Sequence, residues 1–145
     1  MTQLGVYITS LFLVLQASVA ENLERAFLQN DPAPLLNLFA PGQAINVSLP
    51  EPIAFSDQIT REQTFFLFQG VFRTYRTFEF FLEPNGLHPV GGGRFILRAR
   101  WSFLSQNKKQ FVYQISFYIR GRPGATSPRD LWVVSEIKAE NPERL

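Results

Sequence analysis

Residues 110–120 read QFVYQISFYIR, a stretch in which large apolar side chains occupy every second position. Residues 94–103, RFILRARWSF, follow the same alternation. A period of two over this length is typical of β-strands that bury one face. Turn-forming residues stand before and between the two stretches, at positions 91–93 and 105–108. The sequence therefore predicts two long neighbouring strands in antiparallel pairing.

Two further alternating stretches extend this pattern into a meander. Residues 77–83 predict a strand with Phe81 on its polar side. Residues 131–139 predict the last strand, on which Trp132 lies on the outer, polar face and Val133 faces the core. The apolar side of the earlier strand carries Phe78, Phe80 and Leu82.

The first half of the chain predicts helices and a short hairpin. Residues 21–28 and 32–39 predict two helices, separated because the residue before Pro32 avoids the helical region. Residues 44–49 and 53–55 predict a hairpin at a sheet edge, since prolines flank it. The capping-box pattern of Thr60 to Gln63 begins a longer helix. The apolar side of that helix carries Phe65, Phe68, Phe72 and Tyr75.

The first twenty residues contain no charged side chain and end in the small residues ASVA. An apolar run followed by small residues is typical of a secretory signal, so we expect a signal peptide at 1–20 and an exported domain at 21–145. Two alternatives stay open. Residues 11–28 form one first helix packed on the domain, or the run is a membrane anchor, which needs about 20 apolar residues.

Composition excludes several kinds of site. The chain has no cysteine, so disulfides, a thiol nucleophile and thiolate metal ligands are excluded. His88 is the single histidine and stands in a turn-rich stretch, residues 85–89, where a general base has no positioned partner. We expect no catalytic residue, no metal and no cofactor. The net charge of +2 gives no indication of a nucleic-acid partner.

The order of elements resembles the nuclear-transport-factor-2-like (NTF2-like, or cystatin-like cone) superfamily, and in particular the exported bacterial domains of the DUF4783 type, whose function is unknown. The stretches that carry the resemblance are residues 26–39, 55–72 and 131–138. The resemblance implies an α+β fold in which a strongly curved, mainly antiparallel sheet wraps around N-terminal helices. It also implies a conical pocket between sheet and helices. Some relatives are isomerases or hydrolases, and others only bind ligands or form dimers through the outer sheet face.

Two sets of candidate site residues follow. The inward positions of the predicted strands and helix are apolar, and none is acidic. The first set is predicted to line the pocket and comprises Phe68, Phe72, Leu97, Trp101, Tyr113 and Phe117. The second is predicted to form a partner surface on the outer sheet face and comprises Arg98, Arg100, Tyr118 and Trp132. Arginine, tyrosine and tryptophan dominate binding energy at protein interfaces. A plain solvated face and a polyanion-binding face are the alternatives for this second set.

These observations favour an exported, periplasmic or envelope domain without catalytic activity. Its expected ligand is a small apolar molecule or a protein, and the protein is either a second copy or an envelope partner. The alternative is a small cone-type enzyme, an isomerase or hydrolase, that uses acid–base chemistry on an apolar substrate.

Overall fold

The structure is a computed structural model that describes residues 19–122, 124 and 132–142. Two α-helices, one 3₁₀ helix and a six-stranded sheet make up this part of the chain. In chain order the elements are α1 (Glu21–Leu28), the 3₁₀ helix (Ala33–Leu38), β1 (Ile45–Leu49), β2 (Phe55–Ile59), α2 (Arg61–Thr74), β3 (Arg76–Gly91), β4 (Arg94–Leu104), β5 (Gln110–Gly121) and β6 (Trp132–Glu140).

The predicted capping box begins α2. The Thr60 hydroxyl accepts the backbone N–H of Gln63 at 3.1 Å, and the Gln63 side chain accepts the backbone N–H of Thr60 at 2.9 Å. Arg61 then donates two hydrogen bonds, at 2.9 and 3.1 Å, to the carbonyl of Leu36 in the 3₁₀ helix. These contacts hold the start of α2 against the 3₁₀ helix. Tyr75, which the sequence placed in the helix, is its extended C-cap residue.

The sheet order is β2-β1-β6-β5-β4-β3. Strands β3 to β6 form the predicted antiparallel meander, and β1 pairs with β2 as the predicted hairpin. The hairpin joins the meander through a parallel pairing of β1 with β6, which the sequence did not predict. The second hairpin strand runs over Phe55–Ile59 rather than the predicted residues 53–55, because the turn occupies residues 51–53.

One face of the sheet packs on α1 and α2 through aromatic rings. Phe27 of α1 lies at the centre of the cluster and is fully buried. Its ring stacks on Phe80 of β3, with centroids 4.6 Å apart, and meets Trp101 of β4 edge-on at 5.0 Å. Burial of these aromatic rings stabilises the packing of α1 on the sheet.

Strand β3 is longer and less regular than the sequence predicts. It continues to Gly91 after a register shift between Leu82 and Leu87, so that His88 lies on a strand opposite Ile96 rather than in a turn. A second register shift, between Thr77 and Glu79, releases Phe78 from the ladder. Phe78 is therefore exposed instead of lying on the buried side.

A β-bulge in β6 reverses the predicted orientation of Trp132. Tyr118 of β5 pairs with Glu136 and the next residue of β5 pairs with Val134, so Ser135 is an extra residue on β6. The Ser135 hydroxyl donates to the Tyr118 carbonyl at 3.3 Å. Because one extra residue shifts the side-chain phase, Trp132 and Val134 join the core. The outward position predicted for Trp132 is therefore wrong; Trp132 is 8% exposed.

The segment that precedes α1 contributes to the core. Val19 is 1% exposed and belongs to the buried cluster, together with Leu23 and Phe27 of α1. Removal of residues 1–20 would take Val19 out of that cluster. Residues 1–18 lie outside the described residues, and so does most of the predicted loop at 121–130. Within the described ranges no helix has the length and hydropathy of a membrane span.

Candidate functional site

The predicted pocket-lining residues all lie in the interior. Phe68, Leu97, Trp101, Tyr113 and Phe117 are at most 5% exposed. They are brought together as predicted, but they pack against one another and against α1. The sixth predicted residue, Phe72, is also buried.

Ring-to-ring contacts join α1 to the sheet and to α2. Phe27 meets Phe68, Phe72 and Phe117 edge-on, with centroids 5.3 to 5.9 Å apart. Trp101 meets Tyr113 in the same manner at 5.8 Å. A ligand that entered between these side chains would have to displace aromatic rings that already contact each other.

Tyr113 has its polar end fixed by the β1–β2 turn. Its hydroxyl donates to the carbonyl of Pro50 and accepts the backbone N–H of Ile53 at 3.3 Å. Burial is the main cause that raises the pKa of Tyr113 to about 12; the hydrogen bond from Ile53 opposes it, and the nearby Tyr75 and Glu51 add to it. With a backbone carbonyl as its acceptor, this phenol holds the turn against β5 and is not activated as an acid or base at neutral pH.

The described interior contains few polar side chains. The fully buried polar residues of the described ranges are Thr64 and Ser102. The hydroxyl of Thr64 donates to the carbonyl of Thr60 within α2 at 2.8 Å. No group of three potential metal ligands occurs among the described residues.

The opposite face of the sheet carries polar and charged side chains, which alternate with the buried ones. We call this surface the outer face. Cross-strand pairing aligns Arg100 of β4, Gln114 of β5 and Glu140 of β6 in one row. Other residues of the outer face include Phe81, Ile96, Arg98, Ser116, Tyr118, Glu136 and Lys138.

Three of the four predicted partner-surface residues lie on the outer face. Arg98 and Arg100 are exposed and Tyr118 is half-buried, whereas Trp132 lies in the core. Phe81 is 56% exposed and pairs directly with Arg100. The sequence placed Phe81 among polar positions, and that signal identifies it as the exposed aromatic residue of this face.

No protein-family model and no curated protein matches the sequence. Solved structures with the same fold do match. A ketosteroid isomerase-like protein from Erwinia carotovora atroseptica superposes with a TM-score of 0.65 at 13% identity, over 90% of this chain and 95% of that one. A DUF4783 family protein from Bacteroides ovatus gives a TM-score of 0.61 at 9% identity, over 86% and 96%.

An NTF2-like protein from Burkholderia thailandensis gives a TM-score of 0.60 at 18% identity, over 89% of this chain and 91% of that one. The chain therefore has the NTF2-like fold, and the predicted α+β cone is confirmed. The similarity to DUF4783 proteins that the sequence predicted is present in the structure as well. At these identities the similarity concerns the fold alone.

Proposed function

We propose that this domain is a non-catalytic interaction module that binds a second copy of itself through the outer face. The observation that carries the proposal is the exposed Phe81 beside Arg100. An exposed aromatic side chain next to arginine on a sheet face has the composition of an interface centre rather than of ordinary solvated surface.

The distribution of charge on the outer face supports a second copy as the partner. Arg100 and Glu140 stand on opposite sides of Gln114 in one cross-strand row. When two such faces pack together about a two-fold axis parallel to β5, Arg100 of one copy lies over Glu140 of the other. A self-complementary patch of this kind is what a symmetric dimer requires.

Packing of the interior gives less support to the other functions. A small apolar ligand in the cone competes with the ring contacts around Phe27. An acid–base enzyme needs a sheltered carboxylate or histidine beside its substrate. Among the described residues, the fully buried polar ones are Thr64 and Ser102. The Tyr113 hydroxyl is hydrogen-bonded to the backbone.

Export is the part of the proposal that rests on sequence, on the uncharged residues 1–20. The intact mass of the protein purified from its native cells separates the two possibilities. A chain that begins at Glu21 supports export with cleavage, and a chain that retains Val19 contradicts it.

A single introduced thiol tests the proposed interface. The chain has no cysteine, so Ser116→Cys places one thiol near the centre of the outer face. Under mild oxidation we expect a disulfide-linked dimer from this variant. Ser56→Cys, on the exposed edge strand β2, is the matched control and should remain monomeric on a denaturing gel. Equal cross-linking of the two variants, or none in either, contradicts the proposal.

A further inference from the structure

A second feature of the molecule lies at the end of the sheet where β3 begins. A cleft of about 630 Å³ opens where α1 ends, α2 ends and β3 begins. Its volume is in the range of small-molecule sites. Phe72, one of the six residues predicted to line a pocket, lines this cleft. The residues that matter for its chemistry are Leu28, Asn30, Arg73, Arg76, Thr77 and Leu104.

The floor of the cleft is fixed by hydrogen bonds. The Asn30 amide donates to the carbonyls of Phe72 and Tyr75 at 3.1 and 3.0 Å, and its oxygen accepts the N–H of Thr77 at 3.1 Å. The Thr77 hydroxyl accepts the indole N–H of Trp101 at 2.9 Å. The Thr77 hydroxyl therefore lies on the core side of β3 and joins the floor of the cleft to Trp101.

The charged side chains that line the cleft are cationic. Arg73 and Arg76 are exposed, and neither guanidinium forms an ion pair with a carboxylate in the described ranges. No aspartate or glutamate lines the cleft. Lys108 stands in the adjoining β4–β5 turn and adds positive charge.

The dipole of α2 explains the position of only one of the two arginines. Arg73 lies in the last turn of α2, where a cation is stabilised by the helix dipole whatever else it does. Arg76 lies on β3, after the helix has ended, so the dipole gives no reason for its place. The cleft also has an apolar side, since Leu28 is 54% exposed and Leu104 lies across from it on the sheet.

We propose that this cleft binds a small aliphatic carboxylate. The carboxylate accepts from the forked guanidinium donors of Arg73 and Arg76, and the hydrocarbon chain packs on Leu28 and Leu104. Arginine forks match carboxylate geometry and give charge-assisted hydrogen bonds. The site is independent of the outer face, so either proposal survives the failure of the other.

Titration of the labelled full chain with hexanoate, followed by NMR, tests the proposal. We expect saturable shifts of the amides of Leu28, Thr77 and residues 104–106, with a dissociation constant of roughly millimolar or below. The neutral isostere hexanamide should bind at least about tenfold more weakly than hexanoate, because it lacks the negative charge. Acetate should also bind at least about tenfold more weakly, because it lacks the hydrocarbon chain.

Charge-neutralising variants give the matched control. Arg73→Gln with Arg76→Gln should weaken hexanoate binding at least about tenfold, whereas Arg25→Gln with Arg94→Gln removes the same charge from exposed positions outside the cleft and should leave binding unchanged. Thermal unfolding of both double variants checks that they are folded. Absence of shifts in the cleft, equal binding of hexanamide or of acetate, or equal effects of the two double variants overturns the proposal.

Discussion

The side-chain oxygen of Asn30 accepts the backbone N–H of Thr77 at 3.1 Å, across 47 positions of the chain. The amide nitrogen of the same residue donates to the carbonyls of Phe72 and Tyr75. One side chain thus joins the end of α1, the end of α2 and the start of β3. Asn30 also has a φ angle of 50°, a left-handed conformation that asparagine tolerates better than most residues.

Substitution of Asn30 should therefore destabilise the domain strongly. Asn30→Ala removes three hydrogen bonds, each worth about 1 kcal/mol, and adds about 1 kcal/mol of backbone strain. We expect a loss of about 3–4 kcal/mol in the free energy of urea unfolding. Asn37→Ala, on the exposed side of the 3₁₀ helix, is the control and should change it by less than about 0.5 kcal/mol. Similar losses in both variants would contradict this role of Asn30.

The pKa of Tyr113 predicts a specific loss of stability at high pH. Its folded pKa of about 12 is above the ordinary value of 10.0, so the unfolded chain releases the phenolic proton first. The contribution is complete below pH 10 and is lost as pH rises through 12, up to about 3 kcal/mol at roughly 1.4 kcal/mol per unit of pKa difference. Tyr113→Phe should be less stable than the wild type at neutral pH and should lose less stability over this interval.

Unfolding measured at several pH values tests this prediction. The difference between the two proteins is the relevant quantity, because lysines and the other tyrosines titrate in both. The pH range from about 9 to about 12 spans the ordinary tyrosine pKa. If the difference in stability between the wild type and Tyr113→Phe stays constant over this range, Tyr113 is not buried against the turn.

The core position of Trp132 gives a prediction opposite to that of an interface residue. Its indole N–H is buried and has no hydrogen-bond partner among the residues that the structure describes, which carries a desolvation cost. Trp132→Phe removes that donor and keeps the edge-on contact with Phe95, so we expect a change within about 1 kcal/mol. Trp132→Ala should cost about 3–5 kcal/mol in thermal or urea unfolding. If Trp132→Ala is as stable as the wild type, Trp132 does not lie in the core.

The aromatic cluster predicts unequal effects for two phenylalanines on helices. Phe27→Ala removes a ring that contacts five others and should cost about 3–5 kcal/mol. Phe66→Ala on the exposed side of α2 should change stability by less than about 0.5 kcal/mol. The comparison holds the residue type constant, so equal losses would contradict the placement of α1 on the sheet.

Sequence periodicity predicted the elements that bury one regular face. The alternation over β4 and β5, the boundaries of α1 and the capping box at Thr60 agree with the structure. These features depend on local pattern, which the sequence displays directly. The six inward candidates also lie in the interior, because apolar residues at the strand period (Leu97, Trp101, Tyr113 and Phe117) or at the helix period (Phe68 and Phe72) share one side of their element.

The errors lie where the ladder is irregular. Residues 131–134 are LWVV, a run without alternation, so the phase of Trp132 was undefined before the bulge at Ser135 fixed it. Phe78 is exposed because of another bulge, and no turn-forming residue in the sequence indicates where that bulge lies. The Asn30 network joins residues more than forty positions apart, and the cleft it supports has no signature in local sequence.

Sedimentation equilibrium of a charge-swap series tests the central claim most directly. We expect a dimer for the wild type, a monomer for Arg100→Glu, and a restored dimer when Arg100→Glu is combined with Glu140→Arg, because the exchange rebuilds the opposed pair across the two-fold axis. Arg73→Glu, away from the outer face, should remain dimeric. A monomeric wild type, or an Arg100→Glu variant that associates as the wild type does, would contradict dimerisation through the outer face.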